Sequence, residues 1–150
     1  ADALFESGGA FYHGFTNSGH PVACAVALEN IRILQDEKII ERVRNDTGPY
    51  LAKKMGALAG HPMVGEVRSV GFLGAIELVS NKATGERFDQ HLKVGEAYNE
   101  HCMELGLTLR EIGDTILFAP PLIVTHEQID EMADIAARAL NITAQEFNIA

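Results

Sequence analysis

Two stretches in the second half of this chain each call for a β-hairpin, and together they require a sheet. From Val64 to Val79, the apolar residues Val67, Val70, Phe72, Leu73, Ile76, Leu78 and Val79 are interspersed with Gly65, Gly71 and Gly74. That pattern predicts two strands around a tight bend. Further on, Leu107–Ile112 and Thr115–Phe118 flank Gly113-Asp114, a strong two-residue hairpin signal. Pro120-Pro121 stops the second of these strands.

The segments around the hairpins carry helical spacing. Val22, Ala25, Val26, Glu29, Ile33 and Leu34 follow Pro21, which is tolerated in a first helical turn. A second pattern, Ile39 to Leu58, contains Gly48-Pro49, where proline is expected to kink or split the helix. Leu92–Leu105 is a third helix, ended by Gly106. Thr125-His126-Glu127-Gln128 fits a capping box, and Ile129, Met132, Ala133, Ala136, Ala139 and Leu140 form the apolar stripe behind it. Residues 1–19 show no sustained period and are expected to be irregular. The fold class is therefore α+β, a small antiparallel sheet covered on one face by helices.

At 150 residues the chain fits one domain. A net charge of −9 and a pI near 5.0 argue against nucleic acid or an anionic membrane as partner. No apolar run reaches the ~20 residues of a membrane span. The opening ADALFESGG lacks the basic start and apolar core of a signal peptide. Cys24 and Cys102 lie in apolar helical contexts without metal or redox spacing, so two buried free thiols in a reducing, cytoplasmic setting are expected. The chain opens on Ala rather than Met, which fits an expectation that it belongs to a longer polypeptide.

The densest chemistry lies in Phe11–Pro21, FYHGFTNSGHP. Gly14 and Gly19 allow the backbone to come close to a ligand, and a helix start just behind presents unpaired N–H groups. Phosphate is a common guest for such a loop, although an ordinary turn has the same composition. Thr16 could donate to it, alongside the backbone N–H groups of Phe15 and Thr16. Arg110, on a predicted strand, has the fork suited to a carboxylate, but could equally be a solvated edge residue. Adjacent strand residues face opposite ways, so Glu111 is not expected to pair with it. The lysines Lys38, Lys53, Lys54, Lys82 and Lys93 stand among polar neighbours, so none suits a nucleophilic role that needs desolvation. The six histidines show no zinc spacing, and no metal site is expected. His20, before Pro21, is expected to cap the helix. Glu66, Glu77 and Glu100 form no recognisable acid/base pair.

FYHGFTNSGHPVACAVALENIRIL, GPYL, HPMVGEVRSVGFLGAIELV and GLTLREIGDTILFAPPLIVT, in this order, resemble the class III (omega-amino acid) aminotransferases, which depend on pyridoxal phosphate. The resemblance covers nearly the whole chain but only about the last third of such an enzyme. It implies that residues 1–44 are the tail of the large cofactor domain, and that 45–150 are the C-terminal small domain. It implies that Thr16 binds the cofactor phosphate of the neighbouring subunit of a homodimer, with Phe15 beside it. Arg110 then matches the arginine that grips a substrate carboxylate and swings out to admit an apolar amine. The cofactor lysine falls upstream of Ala1, so the chain alone is expected to be inactive.

The function expected is transfer of an amino group from an omega-amino acid or amine to a keto acid such as pyruvate. Two rivals remain: a stand-alone α+β module binding a small metabolite, and an oligomerisation domain in which Arg110 is incidental.

Overall fold

In the computed structural model, which describes residues 2–6, 8 and 14–149, the chain divides into two compact units, 1–37 and 38–150. The first contains α1 (Asp2–Glu6), within a stretch expected to be irregular, and α2 (Pro21–Asp36). Pro21 occupies the first turn of α2, and His20 is its N-cap, with Nδ1 accepting from the Ala23 N–H at 3.3 Å. Arg32 closes the helix's polar side, bonding Glu29 at 2.9 Å and Asp36 at 2.6 Å. No residue of α2 is buried. The expectation of two buried thiols therefore fails at Cys24, which is exposed, and holds at Cys102. The α2 face that carries Cys24 is apolar and, among the described residues, exposed.

The second unit begins with α3 (Ile39–Arg42), a π-helical turn (Val43–Thr47) and α4 (Gly48–Leu58). Proline cannot donate, and its ring presses on the carbonyl four residues back, here Asn45. The chain answers by widening rather than kinking. The Gly48 N–H donates to the Val43 carbonyl five residues back. Only glycine fits there, since a Cβ on Gly48 would lie 2.3 Å from that oxygen. The helix expected to be split at Gly48-Pro49 thus continues through a wide turn.

Four antiparallel strands follow, in the order β1-β2-β4-β3. β1 (Val64–Val70) and β2 (Leu73–Leu78) are joined by a two-residue turn in which Gly71 adopts φ +58° and Phe72 is buried. β3 (Arg110–Ile112) and β4 (Thr115–Phe118) flank Gly113-Asp114, with Gly113 at φ +60°. β3 starts at Arg110 rather than Leu107. Beyond Phe118 its partner runs into Pro120-Pro121, which have no N–H for a ladder. α5 (Val94–Glu104) and α6 (His126–Glu146) complete the unit, and the Thr125/Gln128 capping box is present.

Helices α4, α5 and α6 cover one face of the sheet. Leu51 and Met55, Tyr98 and Cys102, and Ile129 and Leu140 meet Ile76, Leu78, Ile116 and Phe118 in one core. Each such side chain contributes roughly 1.5–3 kcal/mol through burial. The Tyr98 hydroxyl donates to the Ala136 carbonyl at 3.3 Å, tying α5 to α6. Burial pushes the Cys102 thiol up to about 11, so it is inert packing. The other face of the sheet carries Val70, Leu73, Arg110 and Ile112 and is exposed.

The Gly113-Asp114 turn rests on the start of α5. The Gly95 N–H donates to Asp114 Oδ1 at 3.2 Å, and a Cβ on Gly95 would lie 1.9 Å from the Gly113 carbonyl oxygen. Gly95→Ala should therefore destabilise the fold by about 2–3 kcal/mol through overpacking. Chemical denaturation measures it, and an unchanged midpoint would mean that the turn does not rest on α5.

Candidate functional site

Phe15 and Thr16 lie together, just ahead of α2, while Phe11, Tyr12 and His13 of the same motif fall outside the described residues. Residues 16–19 form a turn: the Ser18 N–H donates to the Phe15 carbonyl at 2.9 Å, and the His20 N–H to that of Asn17 at 3.2 Å. Gly19 at φ +74° turns the chain into the helix. The Phe15 N–H donates to Ser18 Oγ at 3.2 Å, so it is engaged inside the turn and is not the ligand donor expected of it. The Thr16 hydroxyl and N–H have no partner among the described residues and are exposed. Unengaged donors ahead of a helix start suit an anionic group such as phosphate.

Arg110 stands in the second unit, at the start of edge strand β3. Its row runs across the whole sheet: Arg68 opposite Ala75, Ala75 opposite Leu117, and Leu117 opposite Arg110. A cavity of about 910 Å³ lies at the end of the sheet where β1 turns into β2 and β4 runs into Pro120-Pro121. Val70, Leu73, Leu107 and Phe118 give it apolar walls, and Arg68 and Arg110 both border it. Arg110 is exposed, and its guanidinium has no hydrogen bond or ion pair among the described residues. As expected, Glu111 takes the opposite face, accepting from Asn99 Nδ2 at 2.7 Å. An unpaired guanidinium beside an apolar space can grip a carboxylate whose remaining chain is apolar.

Sequence reasoning missed Arg68 and its partners. Arg68 Nη1 lies 3.0 Å from Glu66 Oε2, and Nη2 bonds Glu77 Oε1. Glu77 Oε2 accepts from the Thr115 hydroxyl at 2.8 Å. The signal was available in the two-residue β1–β2 turn, whose register sets Arg68 one row from Glu66 and Glu77.

Burial alone would raise the Glu77 carboxyl, but the Arg68 and Thr115 hydrogen bonds outweigh it and hold Glu77 below the ordinary carboxylate range. The lysines point away from nucleophilic chemistry. Lys54 pairs with Asp130 at 2.6 Å and Lys93 with Glu96 at 2.7 Å, and both are held above the ordinary lysine range by those carboxylates. Among the described residues no group of three or more His, Cys, Asp or Glu could hold a metal.

A depressed carboxyl stabilises the folded state above its unfolded pKa, and that stability is lost as pH falls through the folded value. Thermal unfolding of the native chain should therefore lose stability as pH drops below about 4.5. Glu77→Gln should lose less over the same interval. Parallel losses would mean that the Arg68–Glu77 pair adds nothing to the fold.

The family model Aminotransferase class-III matches residues 2–140. The chain is 55% identical over 141 residues to the putrescine–pyruvate aminotransferase of Pseudomonas aeruginosa, covering 94% of this chain and 31% of that protein. It is 42% identical over 135 residues to gamma aminobutyrate transaminase 1, mitochondrial, of Solanum lycopersicum, covering 90% and 26% respectively. A PMP-bound aminotransferase structure from Vibrio fluvialis superposes with a TM-score of 0.87 at 38% identity, over 99% of this chain and 32% of that one. The chain thus spans between about a quarter and a third of the length of the relatives it matches.

Proposed function

Because the chain belongs to the class-III aminotransferases, we propose that it is the C-terminal part of a pyridoxal-phosphate enzyme moving an amino group from an omega-amino acid or amine to a keto acid such as pyruvate. The observation that carries this reading is the unpaired Arg110 guanidinium on the rim of an apolar cavity. The Pseudomonas aeruginosa relative, named for putrescine and pyruvate, supports the choice of substrates. The complete enzyme is a cytoplasmic homodimer in this reading. Residues 1–44 end its cofactor domain, and 45–150 form its small domain.

The Thr16 hydroxyl and N–H fit the phosphate of pyridoxal phosphate in the neighbouring subunit, and Phe15 flanks it. When bound, the cofactor supplies an electron sink for the carbanion formed when a proton leaves the carbon bearing nitrogen. Arg110 binds the keto-acid carboxylate and turns out for an amine that has none. Its exposure and its place on a short edge strand leave it room to move. None of the five lysines here is set up to anchor the cofactor, so the chain alone is inactive in this reading.

In the complete enzyme, Thr16→Ala should weaken cofactor retention by ten- to a hundredfold, as one hydrogen bond to a charged group is worth about 1.5–3 kcal/mol. Cofactor dissociation measures it, and an unchanged rate removes Thr16 from the site. Arg110→Ala should slow the keto-acid half-reaction about a hundredfold, while an arylalkyl amine without a carboxylate loses far less. Single-turnover kinetics separates the two. Equal losses would assign Arg110 to the fold instead.

A further inference from the structure

Two arginines border the cavity, and only one of them is available to a ligand. Arg68 and Arg110 occupy the same cross-strand row on the two outer strands of the sheet. Their backbones are three strand spacings apart, roughly 14 Å, a gap that two arginine side chains reaching inward can close down to the length of a small diacid. Arg110 has no partner among the described residues. Arg68 differs. Its guanidinium is turned into the next row of the sheet, where Glu66 and Glu77 sit opposite each other. That row lies on the side away from the Val70 and Leu73 wall of the cavity. Glu77 cannot easily follow a moving Arg68. Its side chain is only 15% exposed, and its second oxygen is held by the Thr115 hydroxyl. Arg68 therefore borders the cavity with its charge already neutralised by carboxylates in the neighbouring row.

We propose that Glu77, supported by Glu66 and Thr115, is a specificity-determining residue. By holding Arg68 in the neighbouring row it leaves Arg110 as the one arginine the cavity offers, and so favours monocarboxylate over dicarboxylate ligands. The inference rests on reading the cavity as the place where the acceptor's carboxylate binds. Removing the clamp releases a second guanidinium fork with the geometry to bind a second carboxylate.

The test has one arm that needs no activity. The arginine Nε–H signals of the chain are followed by NMR while acetate or glutarate is added. In the native chain both anions should perturb Arg110, with similar affinity, and leave Arg68 unmoved. In Glu66→Gln/Glu77→Gln, glutarate should perturb both arginines and bind about fivefold more tightly than acetate, the gain from one exposed charge pair. Adding Arg68→Met should abolish that gain. Glutarate moving Arg68 in the native chain, or a gain that survives Arg68→Met, overturns the proposal.

In the complete enzyme, the Glu66→Gln/Glu77→Gln variant should raise kcat/KM for 2-oxoglutarate relative to pyruvate by about the same fivefold. An unchanged ratio also overturns it. A native enzyme that transfers no amino group to pyruvate would overturn the reading of pyruvate as acceptor instead, and the NMR arm would still decide the role of Glu77.

Discussion

Asp114 is the residue through which strands, turn and helix are fixed to one another. Its carbonyl accepts from the Leu78 N–H at 2.9 Å, and its side chain accepts from the Gly95 N–H. One residue thus ties the end of β2, the β3–β4 turn and the first turn of α5. Two further constraints meet there: Gly113 needs its positive φ, and Gly95 must have no side chain where the turn packs. With the turn fixed, Arg110 must face Leu117 and not Ile116, because a slip of one residue would turn every side chain of β3 to the opposite face. Arg110 reaches the cavity because a turn at the far end of the short strand is held in place.

Charge on the uncovered face of the sheet is arranged with the same economy. Two arginines and two glutamates share adjacent rows, yet they are not evenly matched. Both carboxylates go to Arg68, and none goes to Arg110. A paired guanidinium has its charge satisfied within the sheet, and an unpaired one keeps its donors for something else. The sheet provides both within one row, which a more symmetrical charge distribution would not do.

Much of this fold was legible from local chemistry. The hairpins announced themselves through Gly71 and Gly113-Asp114, the last helix through Thr125 and Gln128, and the cap of α2 through His20 before Pro21. All of these act over a few residues. What stayed hidden depended on distance or on missing neighbours. Cys24 sits in a helix whose apolar composition predicts burial, but burial needs a covering element, and composition cannot say whether one is present; among the described residues Cys24 is exposed. Arg68 sits beside Glu66 in the sequence, but its stronger partner is nine residues away across a turn. That Glu111 turns away from Arg110 followed from strand alternation alone. The Phe15 N–H was lost to Ser18 because a serine three residues on competes for the same donor. The start of β3 depended on prolines just beyond its partner strand, a constraint that acts across the sheet.

The wide turn at 43–47 also sets a phase. From Ile39 to Leu51 is twelve positions, and in regular α-helix that interval leaves the two side chains about 120° apart around the axis. The extra residue taken up by the π-helical turn subtracts about 100°, which brings them within roughly 20° of one another. Ile39 and Leu51 are both buried. The proline that widens the helix thus works as a gear: it rotates α3 by the angle that sets Ile39 and Leu51 on the same side of the helix, where both are buried. A one-residue deletion in this turn would leave a more regular helix, but one with Ile39 pointing to the side.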